Sequence, residues 1–285
     1  MATFLPSLYA FFAAAAAGCL LATAFGEVRR VGTDRLAAVT LAGLVATLAA
    51  AAAVVGQFGR PSLLFSVFSN PGTAIFRELA SLLLALLAGA AYLTALLTGA
   101  TRRTGRKLSL FAAASGLLLA LAVGSAAVQP WRPVWNTWTL VLPTAGFAWL
   151  AGVMFAKGLG ATGHKNVGPA LRLLKKAEEK TIETASEPLW ENAKLAASAP
   201  LVGLAVYFAI ASSDASARVA LASLLTCSNA SLFWAGVIVP SVLASFLAAV
   251  FASDALKRNP VSGIVLAILA AFSAGAWQHL VLGLA

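Results

Sequence analysis

The stretch LAAVTLAGLVATLAAAAAVVGQFGRP, residues 36–61, holds about twenty apolar residues before it breaks at Gln57 and Gly59-Arg60-Pro61. About twenty apolar residues is the length a helix needs to cross a hydrocarbon core of about 30 Å. Similar runs recur along the chain, which is 60% hydrophobic and 11% charged. Its mean hydropathy is +0.89. So little polar material cannot cover a water-soluble surface, so the composition excludes an ordinary soluble domain. The alternating ten-residue segments of a membrane barrel are absent, which leaves helices.

The expected fold is an all-α integral membrane protein of eight transmembrane helices, at about 3–25, 36–57, 73–98, 108–128, 138–159, 195–212, 231–251 and 261–282. Pro143, Pro200 and Pro240 fall inside the fifth, sixth and seventh of these. Kinks rather than breaks are expected there, because neighbouring helices can satisfy the freed carbonyls. The first run is read as a spanning helix and not as a cleaved leader. Residues 1–26 contain no Lys or Arg, and the basic residues follow the apolar stretch.

Of the 20 Lys and Arg residues, only Arg60, Arg77, Arg132 and Arg218 fall on one side of this arrangement. The other side includes Arg102, Arg103, Arg106 and Lys107 in one loop, with a larger group between Lys157 and Lys194. The positive-inside rule places the basic side in the cytoplasm and both termini outside. The net charge of +10 is therefore a topology signal, and no nucleic acid partner is implied. Residues 160–194 form the one long polar insertion; within it Leu171, Leu174 and Ala177 fall near helical spacing. A cytoplasmic amphipathic helix on the membrane surface and a solvated connector both account for it.

The inventory of reactive side chains narrows the chemistry. His164 lies in the cytoplasmic loop and His279 far along the eighth helix, so the two cannot ligate one haem. Cys19 and Cys227 are lone residues in separate apolar stretches, and no spacing for a metal ion or iron–sulfur cluster occurs. No haem, metal or cluster is expected in this chain. No histidine lies mid-bilayer to activate a serine.

Polar residues gather instead on the external side. Asn70-Pro71-Gly72 and Thr73 read as a turn opening the third helix, with Glu78 roughly 7 Å inside it. A carboxylate at that depth faces a partner such as Arg60 or Gln57, or it is an acid favoured near a helix N-terminus. Trp131, Trp135 and Trp138, with Arg132 and Asn136, mark the next external loop. They fit either an aromatic belt or a surface for an external partner.

At these loops the sequence resembles the membrane-anchor subunits of dimethyl sulfoxide reductase and related molybdenum oxidoreductases. QFGRP at 57–61 resembles that family's His-Leu-Gly-Ser-Pro turn, RELAS at 77–81 its Asn-Glu-Ile-Ala-Ser, and RPVWNTWT at 132–139 the stretch before its fifth helix. The resemblance implies an eight-helix anchor in the cytoplasmic membrane of a bacterium or archaeon. It also implies oxidation of menaquinol, with electrons passing to an iron–sulfur subunit and on to a molybdopterin catalytic subunit. Carried over, Glu78 is the proton acceptor, and Gln57, Phe58, Gly59, Arg60, Pro61 and Glu78 form the quinol site. Phe58, Leu64, Phe65, Phe68 and Phe76 would offer the apolar cleft.

Gln57 stands where the family has His. It can hydrogen-bond a quinol hydroxyl but cannot take its proton at neutral pH. His279, near the external end of the eighth helix, is the expected substitute. Arg60, Trp131, Arg132, Trp135 and Asn136 are the expected docking surface, with membrane lipid around the rest. A secondary transporter and a purely structural anchor without a quinone site are the competing readings.

Overall fold

The computed structural model describes residues 4–28, 31–58, 63–128, 133–161, 188–226, 230–250 and 260–283. Its helices are α1 (Phe4–Val28), α2 (Thr33–Gln57), α3 (Leu63–Phe68), α4 (Ala74–Leu97), α5 (Arg102–Ala126), α6 (Val141–Ala161), α7 (Pro188–Ala211), α8 (Ala215–Thr226), α9 (Ala230–Val250) and α10 (Pro260–Gly283). Short 3-10 turns at Pro133–Trp135 and Trp138–Leu140 precede α6. No strand occurs among the described residues. Eight helices, all but α3 and α8, are long and apolar enough to cross a membrane. The chain is an all-α, multi-pass membrane protein.

The spans lie close to those expected from hydropathy, with four differences, one being that α5 begins at Arg102, six residues before the expected start at 108. Helix α1 continues to Val28, which draws Glu27 into its last turn. Helix α7 begins at Pro188 rather than near residue 195, because proline suits the first position of a helix and the following residues propagate it. The short helices α3 and α8 occupy stretches read as loops. Residues 162–187, most of the polar insertion, lie outside the described residues.

Lipid tails are as apolar as leucine, so membrane helices gain little by burying large side chains and associate through close contact of small ones. The bundle follows that rule. Helix α1 packs against α2, α5, α6 and α10. Its buried face is mostly alanine and glycine, from Ala13 to Gly18. At the crossing with α6, a Cβ on Gly18 would lie 2.0 Å from the Ala148 carbonyl oxygen, and one on Gly152 would lie 1.9 Å from that of Gly18. Gly116 of α5 meets the Ala17 carbonyl in the same way, at 2.8 Å. Large residues such as Leu41, Val45, Leu48, Leu83, Leu87 and Phe246 point outward, where lipid solvates them.

Helices α6 and α7 meet at reciprocal glycine and proline contacts. A Cβ on Gly146 would lie 2.7 Å from the Pro200 nitrogen, and one on Gly203 would lie 2.9 Å from that of Pro143. Helix α7 runs through Pro200 without a break. In α9 the backbone widens to a π-turn at Phe233–Ile238 just before Pro240. There the Ser241 hydroxyl donates to the Val237 carbonyl of its own helix. Other buried hydroxyls also bond to their own helix: Thr40 donates to the Leu36 carbonyl at 2.6 Å and Thr47 to that of Gly43 at 2.8 Å.

Candidate functional site at the Gln57 end of the bundle

The contacts bring the start of α1, the end of α2, the start of α4 and the end of α10 to one end of the bundle. A Cβ on Gly56 would touch Leu5, and one on Gly275 would lie 2.9 Å from the Ser7 carbonyl. The Asn70–Gly72 turn delivers the chain to α4. Thr73 is its N-cap, accepting a hydrogen bond from the Phe76 amide at 3.2 Å while its hydroxyl donates to the Asn70 carbonyl at 3.0 Å. The next turn carries Arg77 outward and Glu78 inward: Arg77 is exposed, and Glu78 is 8% exposed.

Glu78 lies within electrostatic reach of Tyr9 on α1 and of neighbouring Arg77. Tyr9 is 2% exposed, and its hydroxyl is buried with no hydrogen-bond partner. A buried phenol normally finds a partner, so this hydroxyl is an unused donor. Sequence reasoning overlooked Tyr9. Its one signal was a lone tyrosine at the edge of an alanine-rich run, and the link to Glu78 spans most of three helices.

Gln57 is exposed at the last position of α2, and Phe58 is half-buried against the main core. Phe68 and Phe76 meet edge to face with centroids 6.0 Å apart. Gly59, Arg60 and Pro61 lie outside the described residues, as do the side chains of Leu64 and Phe65. The expected partnership of Glu78 with Arg60 therefore falls outside them too.

His279 is not brought to Glu78 by any described contact. Its Nδ1 lies 3.0 Å from the Ser7 hydroxyl. Ser7 and Tyr9 are two residues apart, so they project about 200° apart around α1, one toward α10 and the other toward Glu78. On α10, Gln278 is 3% exposed with its side-chain oxygen unbonded, and Trp277 is fully buried with its indole nitrogen unbonded.

The docking surface needs a correction at Trp135. This ring is 3% exposed, stacked on Tyr207 at 6.1 Å and edge-on to Trp277 at 5.9 Å. The Tyr207 hydroxyl donates to the Val134 carbonyl at 3.1 Å and closes the cluster. Three aromatic residues from distant segments bury one another here, so Trp135 cannot anchor a partner. Asn136 and Trp138 are exposed beside it, Trp138 at 68%. Trp131 and Arg132 lie outside the described residues.

At the opposite end, the Tyr92 hydroxyl donates to the Glu27 carboxylate at 2.9 Å, and Gly105 of α5 lets the same carboxylate approach. That acid already has a hydrogen-bond partner in Tyr92. Compared with models of known families and with curated proteins, the chain matches none.

Proposed function

We propose that this chain is the membrane anchor and quinol-oxidising subunit of a molybdenum oxidoreductase complex, with both termini on the outer face of the cytoplasmic membrane of a bacterium or archaeon. One observation carries the reading. Glu78 is a buried carboxylate just inside a capped helix start, and the unbonded Tyr9 hydroxyl lies in its electrostatic reach. Acids placed at such depth in a membrane protein serve a proton or ligand path far more often than they serve packing.

Menaquinol oxidation releases two protons and two electrons and needs an oriented acceptor for the protons. In this reading Glu78 takes the first proton from a quinol hydroxyl. Tyr9 donates a hydrogen bond that holds the oxygen, and Gln57 orients the hydroxyl on the other side of the ring. The electrons leave to the iron–sulfur subunit docked on the same face, as the resemblance at residues 57–61 and 77–81 implies. The second proton leaves through the water at this end of the bundle.

The test is Glu78→Gln in the assembled complex. It keeps shape and hydrogen bonding but removes the base. Quinol-dependent turnover should fall by about a hundredfold or more, with assembly intact and transfer from an artificial donor to the partner subunits unchanged. Unchanged quinol turnover would dispose of the reading. A carrier is the second reading, favoured by the π-turn in α9, since such turns often mark functional sites. Purification separates the two: an anchor comes with hydrophilic iron–sulfur and molybdenum subunits, a carrier alone.

A further inference from the structure

The first turns of α5 carry Arg102, Arg103, Arg106 and Lys107 around an open depression of about 500 Å³ whose remaining wall is Leu110. All four cations are exposed. Among the described residues none of the four has an ion pair, and the one acid close to this turn, Glu27 against Gly105, already accepts from the Tyr92 hydroxyl. Arg102 with Arg106, and Arg103 with Lys107, are like charges four residues apart, an arrangement that destabilises a helix. They also stand at the positive end of the helix dipole. The cluster therefore has electrostatic reason to hold an anion.

The same face of α5 then turns apolar. At 3.6 residues per turn, Arg103, Arg106, Lys107, Leu110, Ala114, Leu117, Leu118 and Leu121 fall on one stripe, and each of them is exposed. The opposite face, with Gly105, Ser109 and Ala112, is buried against the bundle. From Arg106 to Leu118 the helix rises about 18 Å, close to the depth of one leaflet's hydrocarbon. Leu117 also borders an apolar depression of about 500 Å³ walled by Phe25, Trp149, Leu142 and Val202. Phe25 and Trp149 stack there with centroids 6.2 Å apart.

We propose that this face of α5 binds one anionic phospholipid from the leaflet at the Arg102 end, its phosphate among Arg102, Arg103, Arg106 and Lys107 and an acyl chain along Leu110, Leu117 and Leu118. The charge selects the headgroup, and the continuous apolar stripe selects a lipid over a soluble phosphate. Neither feature involves Glu78, so this site stands whatever becomes of the quinol reading.

Native mass spectrometry of the full chain, released from vesicles of equal phosphatidylglycerol and phosphatidylcholine, tests it. The wild type should retain one phosphatidylglycerol, with about a tenfold preference or more. Arg106→Gln with Lys107→Gln should abolish that preference, whereas Arg35→Gln with Lys194→Gln, which removes equal charge elsewhere on the same end, should leave it. Arg102→Lys, Arg103→Lys and Arg106→Lys together should preserve most of it, which separates lost charge from lost folding. Equal loss in both double-glutamine variants would mean a diffuse surface field and would overturn the site. So would millimolar inorganic phosphate stripping the lipid while Leu110→Ser and Leu117→Ser had no effect, because the occupant would then be a free phosphate.

Discussion

The Ser7 hydroxyl and His279 Nδ1 lie 3.0 Å apart, joining the second turn of the first helix to the last turns of the final one. This bond gives His279 a structural task. His279→Ala should lower the melting temperature in detergent by only about one or two degrees, since interhelical hydrogen bonds in membranes contribute about 0.6 kcal/mol. On the proposed reading, quinol turnover of the assembled complex should stay within about twofold. A large loss of turnover at normal stability would instead place His279 in the proton path, as the expected substitute for the histidine that the resembled family has where Gln57 stands.

Tyr9→Phe removes a buried hydroxyl that has no partner. Such a change is ordinarily neutral or stabilising, because an unsatisfied group costs about 1–3 kcal/mol to desolvate. The melting temperature should hold or rise. Turnover should fall by about tenfold in the same protein, with the quinol KM raised, if the hydroxyl orients the substrate. A variant with unaltered kinetics would show that the phenol only fills space beside Glu78.

Gly18→Ala should abolish the folded yield, because the new methyl would sit 2.0 Å from a backbone oxygen of α6 with no flexible side chain to give way. Gly72→Ala is the control: nothing lies within 4 Å of a Cβ there. Size-exclusion profiles of the two in detergent decide the matter. A monodisperse peak for Gly18→Ala would show that α1 and α6 can slide apart.

Asp214 supplies the pH prediction. The Ser216 hydroxyl and amide donate to its carboxylate at 2.8 and 2.9 Å, and these bonds hold its pKa below the ordinary carboxylate value. For a lowered pKa, the contribution to the start of α8 is fully present above the unfolded value of about 3.9 and disappears as pH falls through the lower folded value. An NMR titration of this carboxyl should therefore have its midpoint below 3.9, and Ser216→Ala should move it back up. A midpoint at the ordinary value would mean the cap is not formed in solution.

Hydropathy made the eight spans legible because crossing a membrane is a local demand: each run must be apolar over its own length, as residues 36–57 are. The turn before α4 was legible for a similar reason, since Asn70-Pro71-Gly72-Thr73 carries its own geometry. What could not be read depends on distant partners. Trp135 looks like a belt residue until Tyr207 and Trp277 close over it, and no feature of residues 131–138 announces them. The link between Tyr9 and Glu78 is equally nonlocal. Helices α3 and α8 escaped notice because each is too short to stand out from a polar connection.

The alanine and glycine surface of α1 also sets an order of events during synthesis. This helix is made before every segment that covers its flanks, α2, α5, α6 and α10, the last of them residues 260–283. Until residues 260–283 have been made, the surface beside Ser7 that Gly275 packs against lacks that neighbour. A ribosome stalled before α10 would leave α1 with one flank uncovered although its other neighbours were already in place.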